Sequence, residues 1–155
     1  MSIRSIPLIV FALILYNVIV VFGAGDIAPD AIGTGAEGGA DIGILRTAFF
    51  ELPSIRGDGG PSWVFTWGDL LIFVAVLLLF VEIIKATYTS TASLLDHGLS
   101  MLVFIACLIE FLMVPTAYTS VFFFIMLATL IDVVAGYTIG IRVARRDIGF
   151  GGMAP

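Results

Sequence analysis

Four long apolar runs dominate this chain and limit what it can fold into. They cover roughly residues 6–22, 68–86, 98–114 and 119–140, and each is near the ~17 to 25 residues that cross ~30 Å of hydrocarbon as an α-helix. A bilayer offers no water to backbone N–H and C=O groups, so such runs must satisfy these groups internally as helices. The sequence therefore predicts an all-α polytopic membrane protein, with four transmembrane helices in a single membrane domain over residues 1–155.

Composition supports a lipid environment and argues against an enzyme. The chain is 60% hydrophobic and 12% charged, whereas a soluble domain carries about 25% charged residues. The single cysteine, Cys107, sits inside the third run and can form neither an internal disulfide nor a thiol cluster. There is one histidine, and no H-E-x-x-H, G-x-S-x-G or P-loop pattern is present. We therefore expect no catalytic residues, no metal and no cofactor.

Lysine and arginine predict the orientation. The long first loop, residues 24–67, holds Arg46 and Arg56 among six carboxylates, whereas basic residues flank the other ends of the runs: Arg4, Lys85, Arg142, Arg145 and Arg146. By the positive-inside rule both termini are cytoplasmic and the acidic loop is external. Trp63 and Trp67 are then expected as anchors at the outer interface, and the three C-terminal arginines as anchors for anionic headgroups at the inner one.

The first run also has some features of a cleaved signal peptide, with Arg4 before it and a small-residue "GAG" segment after it. Its apolar length of about 17 residues exceeds the ~7 to 15 residues of a usual signal core. We therefore expect this run to be kept as a membrane span.

The external loop divides into two parts. The first half, "GAGDIAPDAIGTGAEGGAD", is acidic and glycine-rich without apolar periodicity, which is typical of a solvated linker. Calcium binding is the alternative for this half, although the spacing does not match an EF-hand loop. In the second half, Ile42, Leu45, Phe49 and Leu52 recur at helical spacing, which predicts a short helix over about 41–52 lying in the outer interface or packed against the bundle.

Three predicted spans each carry a carboxylate within the apolar run. Glu82 and Asp132 lie about 14 and about 13 residues from the outer starts of their helices, which is a matched depth of roughly 20 Å. Glu110 falls near the outer surface, and Lys85 lies one turn from Glu82. These four residues form the predicted intramembrane polar cluster. An ionised side chain facing lipid is costly, so each carboxylate needs a partner or a proton.

Two interpretations of this cluster stay open. In the first, which the pattern favours, the carboxylates make structural contacts with Lys85 and with hydroxyl groups of neighbouring helices. In the second they line a path for protons or a small cation.

The fourth run carries a helix-packing pattern. Small residues recur every four positions around Asp132, at Ala128, Gly136 and Gly140. Such small-residue faces allow helix backbones to approach closely. We therefore expect Asp132 to lie on a packed face.

The blocks "GDLLIFVAVLLLFVEIIKAT", "DHGLSMLVFIACLIEFL" and "IDVVAGYTIGIRVARRD" resemble an uncharacterised family of small four-span inner-membrane proteins of bacteria, over roughly residues 65–148. The resemblance implies a helical bundle in the bacterial cytoplasmic membrane and brings no substrate or functional residue.

From sequence we expect a non-enzymatic accessory subunit that docks in a larger membrane assembly or forms a homo-oligomer. Its partners would be lipid and other membrane subunits or itself, and not nucleic acid. A proton or small-cation channel or carrier is the alternative.

Overall fold

The computed structural model describes residues 6–23, 42–54, 62–87 and 93–150. For residues 93–97 and 143–150 the description covers the backbone alone. The expectations for Arg4, for the acidic half of the first loop, and for the side chains of Arg145 and Arg146 lie outside the described parts.

Each of the four apolar runs forms a helix, as predicted. Helix α1 covers Val10–Gly23, α3 covers Trp67–Ala86, α4 covers Ser93–Met113 and α5 covers Ser120–Phe150. Two of the described segments, Trp67–Ala86 and Ser120–Arg142, are long and apolar enough to cross a membrane, while Val10–Gly23 and Gly98–Met113 are shorter apolar helices. Helix α5 continues beyond the predicted end at residue 140 and carries the basic segment in the same helix.

Helix α5 is the centre of the arrangement. It packs against α3 on one side and α4 on the other, and α1 packs against α3 and α5. The starts of α3 and α5 lie together, since a Cβ placed on Gly68 would meet Val121 Cγ2 at 3.0 Å. The start of α1 lies beside the end of α3, where Leu8 and Glu82 are hydrogen-bonded. A 3-10 helix, Pro115–Ala117, joins α4 to α5. Consecutive long helices therefore alternate in direction.

The buried core is apolar and continuous across these helices. Helix α1 and the turn before it supply residues at helical spacing, Ile9, Ala12, Tyr16 and Val20, and the rings of Tyr16 and Phe122 meet edge-on with centroids 4.9 Å apart. The outside is apolar as well, with Phe22 82% and Met113 75% exposed. An apolar exterior of this kind suits lipid or another protein rather than water.

The predicted helix over 41–52 is wrong beyond Arg46. A four-residue helix, α2, covers Gly43–Arg46, and strand β1, Ala48–Leu52, follows it. Strand β1 pairs antiparallel with β2, Trp63–Thr66. The segment "AFFEL" is rich in aromatic residues that favour strands, and the matching segment "WVFT" lies close by in the chain. The two segments pair as strands, so residues 48–52 do not continue the helix that the spacing of Ile42 and Leu45 predicts.

Candidate functional site

Glu82 is buried in α3, at 5% exposure, and both of its carboxylate oxygens are engaged. Oε2 accepts a hydrogen bond of 2.8 Å from the backbone N–H of Leu8, and Oε1 pairs with Lys85 Nζ at 2.9 Å. Leu8 precedes α1, whose first turn is closed by bonds such as Val10 N–H to the Pro7 carbonyl. The first N–H groups of a helix have no partner within it. Glu82 therefore caps α1 from another helix.

Lys85 completes this arrangement. Its Nζ lies one turn beyond Glu82 on α3 and also donates to the Ile6 carbonyl at 3.3 Å. The Lys85 side chain is 26% exposed, so the ammonium group keeps contact with the surroundings of the bundle while it pairs with the buried carboxylate. A negative group at a helix start also complements the positive end of the helix dipole. The pair of charges thus fastens the start of α1 to the end of α3.

Asp132 is buried in α5, at 4% exposure, together with Thr129 one turn earlier. Ser100 of α4 is equally buried, and Ser100 and Asp132 each lie about 16 residues from Thr116 in the α4–α5 hairpin, at a similar depth. The Asp132 Oδ2 atom is buried and receives no hydrogen bond from a described residue, although Asp132 as a residue has an interaction partner. Thr129 Oγ1 donates to the Met126 carbonyl of its own helix at 2.7 Å. The hairpin thus buries the polar side chains of Ser100, Thr129 and Asp132.

At the end of the bundle where α3 and α5 start, Tyr16 forms hydrogen bonds between helices. The Tyr16 hydroxyl donates to the Thr116 carbonyl at 2.8 Å and bonds to Thr119 Oγ1 at 2.8 Å. Thr119 Oγ1 also accepts from the Phe122 N–H at 3.0 Å, which caps the start of α5. Glu110, on α4 near this end, is half-buried. Tyr16 therefore connects α1 to the turn between α4 and α5.

The predicted packing face of α5 lies inside the bundle for most of its length. Ala128, Asp132 and Gly136 are buried and Gly140 is half-buried. Among the predicted anchors, Trp63 and Arg142 are exposed and Trp67 is half-buried. Trp63 and Trp67 belong to the same end as the Tyr16 cluster, because α3 and α5 both start there.

A cleft of about 250 Å³ opens at this end, between α2 and the starts of α3 and α5. Its polar lining includes Arg46, Thr66 and Asp69. Thr66 and Asp69 form a capping box, in which the Asp69 N–H donates to Thr66 Oγ1 at 3.1 Å and Asp69 Oδ2 accepts from the Thr66 N–H at 2.9 Å. The cleft therefore borders helix caps whose hydrogen bonds are already made. Among the described residues, no group of three or more His, Cys, Asp or Glu side chains is placed to hold a metal ion.

Sequence reasoning missed three of these polar contacts. The T-x-x-D pattern of Thr66 and Asp69 is a recognisable capping signal and could have been found. The bond from Leu8 to Glu82 joins residues 74 positions apart, and that from Tyr16 to Thr119 joins residues 103 apart. Helical periodicity carries no information about such pairs.

No protein-family model, curated protein or solved structure matches this chain.

Proposed function

We propose that this protein is a small non-enzymatic membrane subunit of the bacterial cytoplasmic membrane, crossing it four times with both termini in the cytoplasm. It docks in a larger membrane assembly or associates with copies of itself. The alternating helix directions support four crossings, since they bring the start of α1 and the end of α3 to one end of the bundle.

The hydrogen bonds of Glu82 are the observation that best supports a structural role. Its two oxygens hold the start of α1 and the Lys85 ammonium group, both within the same chain. An acid or base that relays protons needs contact with water or with another relay group. A carboxylate committed to a helix cap and an ion pair stabilises the bundle instead.

Docking is supported by the position of α4. Its main helix neighbour is α5, whereas α1 and α3 each pack against two long helices. Exposed apolar residues recur along α4 at three- and four-residue intervals, at Leu102, Ile105, Ile109 and Leu112. This face is available to a neighbouring transmembrane helix.

Purification from membranes in a mild detergent, followed by native mass spectrometry, tests the proposal. We expect the chain to appear with a partner subunit or as an oligomer. Replacing Leu102 and Ile109 by tryptophan should weaken that association, and the same change at Phe73 and Phe80 of α3, which are also exposed, is the matched control. A monomer that persists without a partner in native lipid nanodiscs would contradict docking.

A proton or small-cation path is the second candidate, and the burial of the polar side chains of Ser100, Thr129 and Asp132 between α4 and α5 favours it. Reconstitution in liposomes with a pH-sensitive dye distinguishes the two functions. A proton path through Asp132 and Glu110 predicts a flux that falls when Asp132→Asn and Glu110→Gln are combined. The structural role predicts no flux above protein-free liposomes for either form.

A further inference from the structure

The β1–β2 hairpin has two unlike faces. Phe50 pairs with Phe65 and Leu52 pairs with Trp63, so these four side chains share one face. The rings of Phe50, Trp63 and Phe65 lie 5.1 to 5.6 Å apart between centroids. Phe50 is 41%, Leu52 51% and Trp63 56% exposed. The opposite face carries Glu51 beside Val64, which is 39% exposed, and a register shift between Ala48 and Phe50 separates these pairs from the pair of Ala48 and Thr66.

The hairpin is fixed to the start of α3. Strand β2 ends at Thr66 and α3 begins at Trp67, with no residue between them. The Trp67 N–H also donates to the Thr47 carbonyl at 3.1 Å, and the Phe49 ring packs edge-on against the Trp67 ring at 5.0 Å. The 20 residues of α3 span about 30 Å, the thickness of the hydrocarbon core. The hairpin therefore sits where α3 leaves the hydrocarbon.

Backbone chemistry limits how deep the hairpin can lie. The described sheet has two strands, so each strand has one edge whose N–H and C=O groups are not paired in the sheet. Open sheet edges are excluded from the hydrocarbon region. In water, a two-stranded hairpin is marginally stable, and the apolar face would be exposed. At the boundary between headgroups and acyl chains, water can hydrate the strand edges while acyl chains cover the apolar face of the hairpin. Aromatic side chains are also favoured there.

We propose that the face formed by Phe50, Leu52, Trp63 and Phe65 lies against lipid at the headgroup boundary of the outer leaflet, with Glu51 turned toward water. The hairpin then acts as a lipid-binding element that sets the depth of α3. This inference rests on the proposed membrane location, and it assigns lipid rather than a docked protein to this face.

The two tryptophans of the chain, Trp63 and Trp67, make the proposal measurable. In Trp67→Phe protein reconstituted in phosphatidylcholine vesicles, fluorescence reports Trp63 alone. We expect stronger quenching by lipids brominated near the carboxyl end of the acyl chain than by lipids brominated near its terminus, and little quenching by iodide. Iodide quenching equal to that of free tryptophan would overturn the proposal, and so would protection from both iodide and brominated lipid, which would indicate a protein cover.

Two single-cysteine variants, at neighbouring residues of β1, provide a second readout. In a Cys107→Ala background, Glu51→Cys should react in intact vesicles with a membrane-impermeant maleimide, whereas Leu52→Cys should react only after detergent is added. Equal labelling of both positions in vesicles would refute the assignment of faces.

Flotation of the same vesicles separates the two proposals. Protein that does not float with lipid contradicts the proposed membrane location, whereas protein that floats but exposes Trp63 and Leu52 contradicts the lipid-facing hairpin alone.

Discussion

Glu82 acts on two helices at once. Its carboxylate belongs to α3, yet one oxygen holds the Leu8 N–H at the start of α1 and the other holds Lys85. Truncating one partner of a buried ion pair costs more than the pair contributes, because the remaining groups lose their solvation without compensation. The buried charge is therefore a position of high sensitivity in the bundle.

Replacing Glu82 tests this account. We expect Glu82→Ala to lower the free energy of unfolding by about 2 to 4 kcal/mol, since it removes two charge-assisted hydrogen bonds. Glu82→Gln should be milder, because its amide oxygen can still accept from Leu8. Thermal unfolding in detergent measures both, and a double-mutant cycle with Lys85→Met isolates the ion pair. Equal stability of Glu82→Ala and wild type would contradict the capping role.

Tyr16 offers a second single-residue test. Tyr16→Phe keeps the ring contact with Phe122 and removes the hydroxyl that bonds Thr116 and Thr119. We expect a loss of about 1 kcal/mol in unfolding free energy, the usual size for a partly buried hydrogen bond. Tyr118→Phe is the matched control, since the Tyr118 hydroxyl bonds the Leu112 carbonyl from an exposed position. An equal effect of both changes would argue against a special role for Tyr16.

The helices show how much of the fold can be predicted from the sequence. Apolar runs predicted all four long helices, because a helix must satisfy its own backbone whichever neighbours it has. The ends of the helices were predicted less accurately, since α4 begins at Ser93 and α5 continues to Phe150. The hairpin was missed because its formation depends on a partner strand. Asp132 is buried on the face of α5 that carries Ala128 and Gly136, whereas the Leu8 partner of Glu82 could be found only from the three-dimensional structure.

Glycine positions test the helix packing directly. A Cβ on Gly68 would lie 2.9 Å from the Leu45 carbonyl oxygen and 3.0 Å from Val121 Cγ2. Since a backbone atom cannot give way easily, we expect Gly68→Ala to destabilise the bundle by about 1 to 3 kcal/mol. Gly98→Ala is the control, because among the described residues no atom beyond its chain neighbours and its own helix backbone lies within 4 Å of the added Cβ. Alanine there should stabilise α4 by up to about 1 kcal/mol, and destabilisation at both positions would contradict the packing argument.

The described basic residues lie at both ends of the bundle. Lys85, near the end of α3, and Arg142, late in α5, lie toward one end, whereas Arg46 lies at the other end with Trp63 and Trp67. The proposed orientation, with the Lys85 end in the cytoplasm, therefore rests on two described basic side chains against one.

Labelling of single cysteines tests this orientation. In a Cys107→Ala background in intact bacterial cells, Glu51→Cys should react with a membrane-impermeant maleimide that enters the periplasm. A cysteine added at residue 155 should react only after the inner membrane is opened. The reverse pattern would invert the orientation, and labelling of both sites in intact cells would require an even number of crossings between residues 51 and 155, where the proposal has three.

The cap on α1 has a consequence for synthesis. Leu8 emerges from the ribosome 74 residues before its acceptor, Glu82. Until Glu82 has been synthesised, the Leu8 amide must find another acceptor, such as water. Arrival of α3 then replaces this temporary partner, so the cap on α1 is completed only after α3 has joined it.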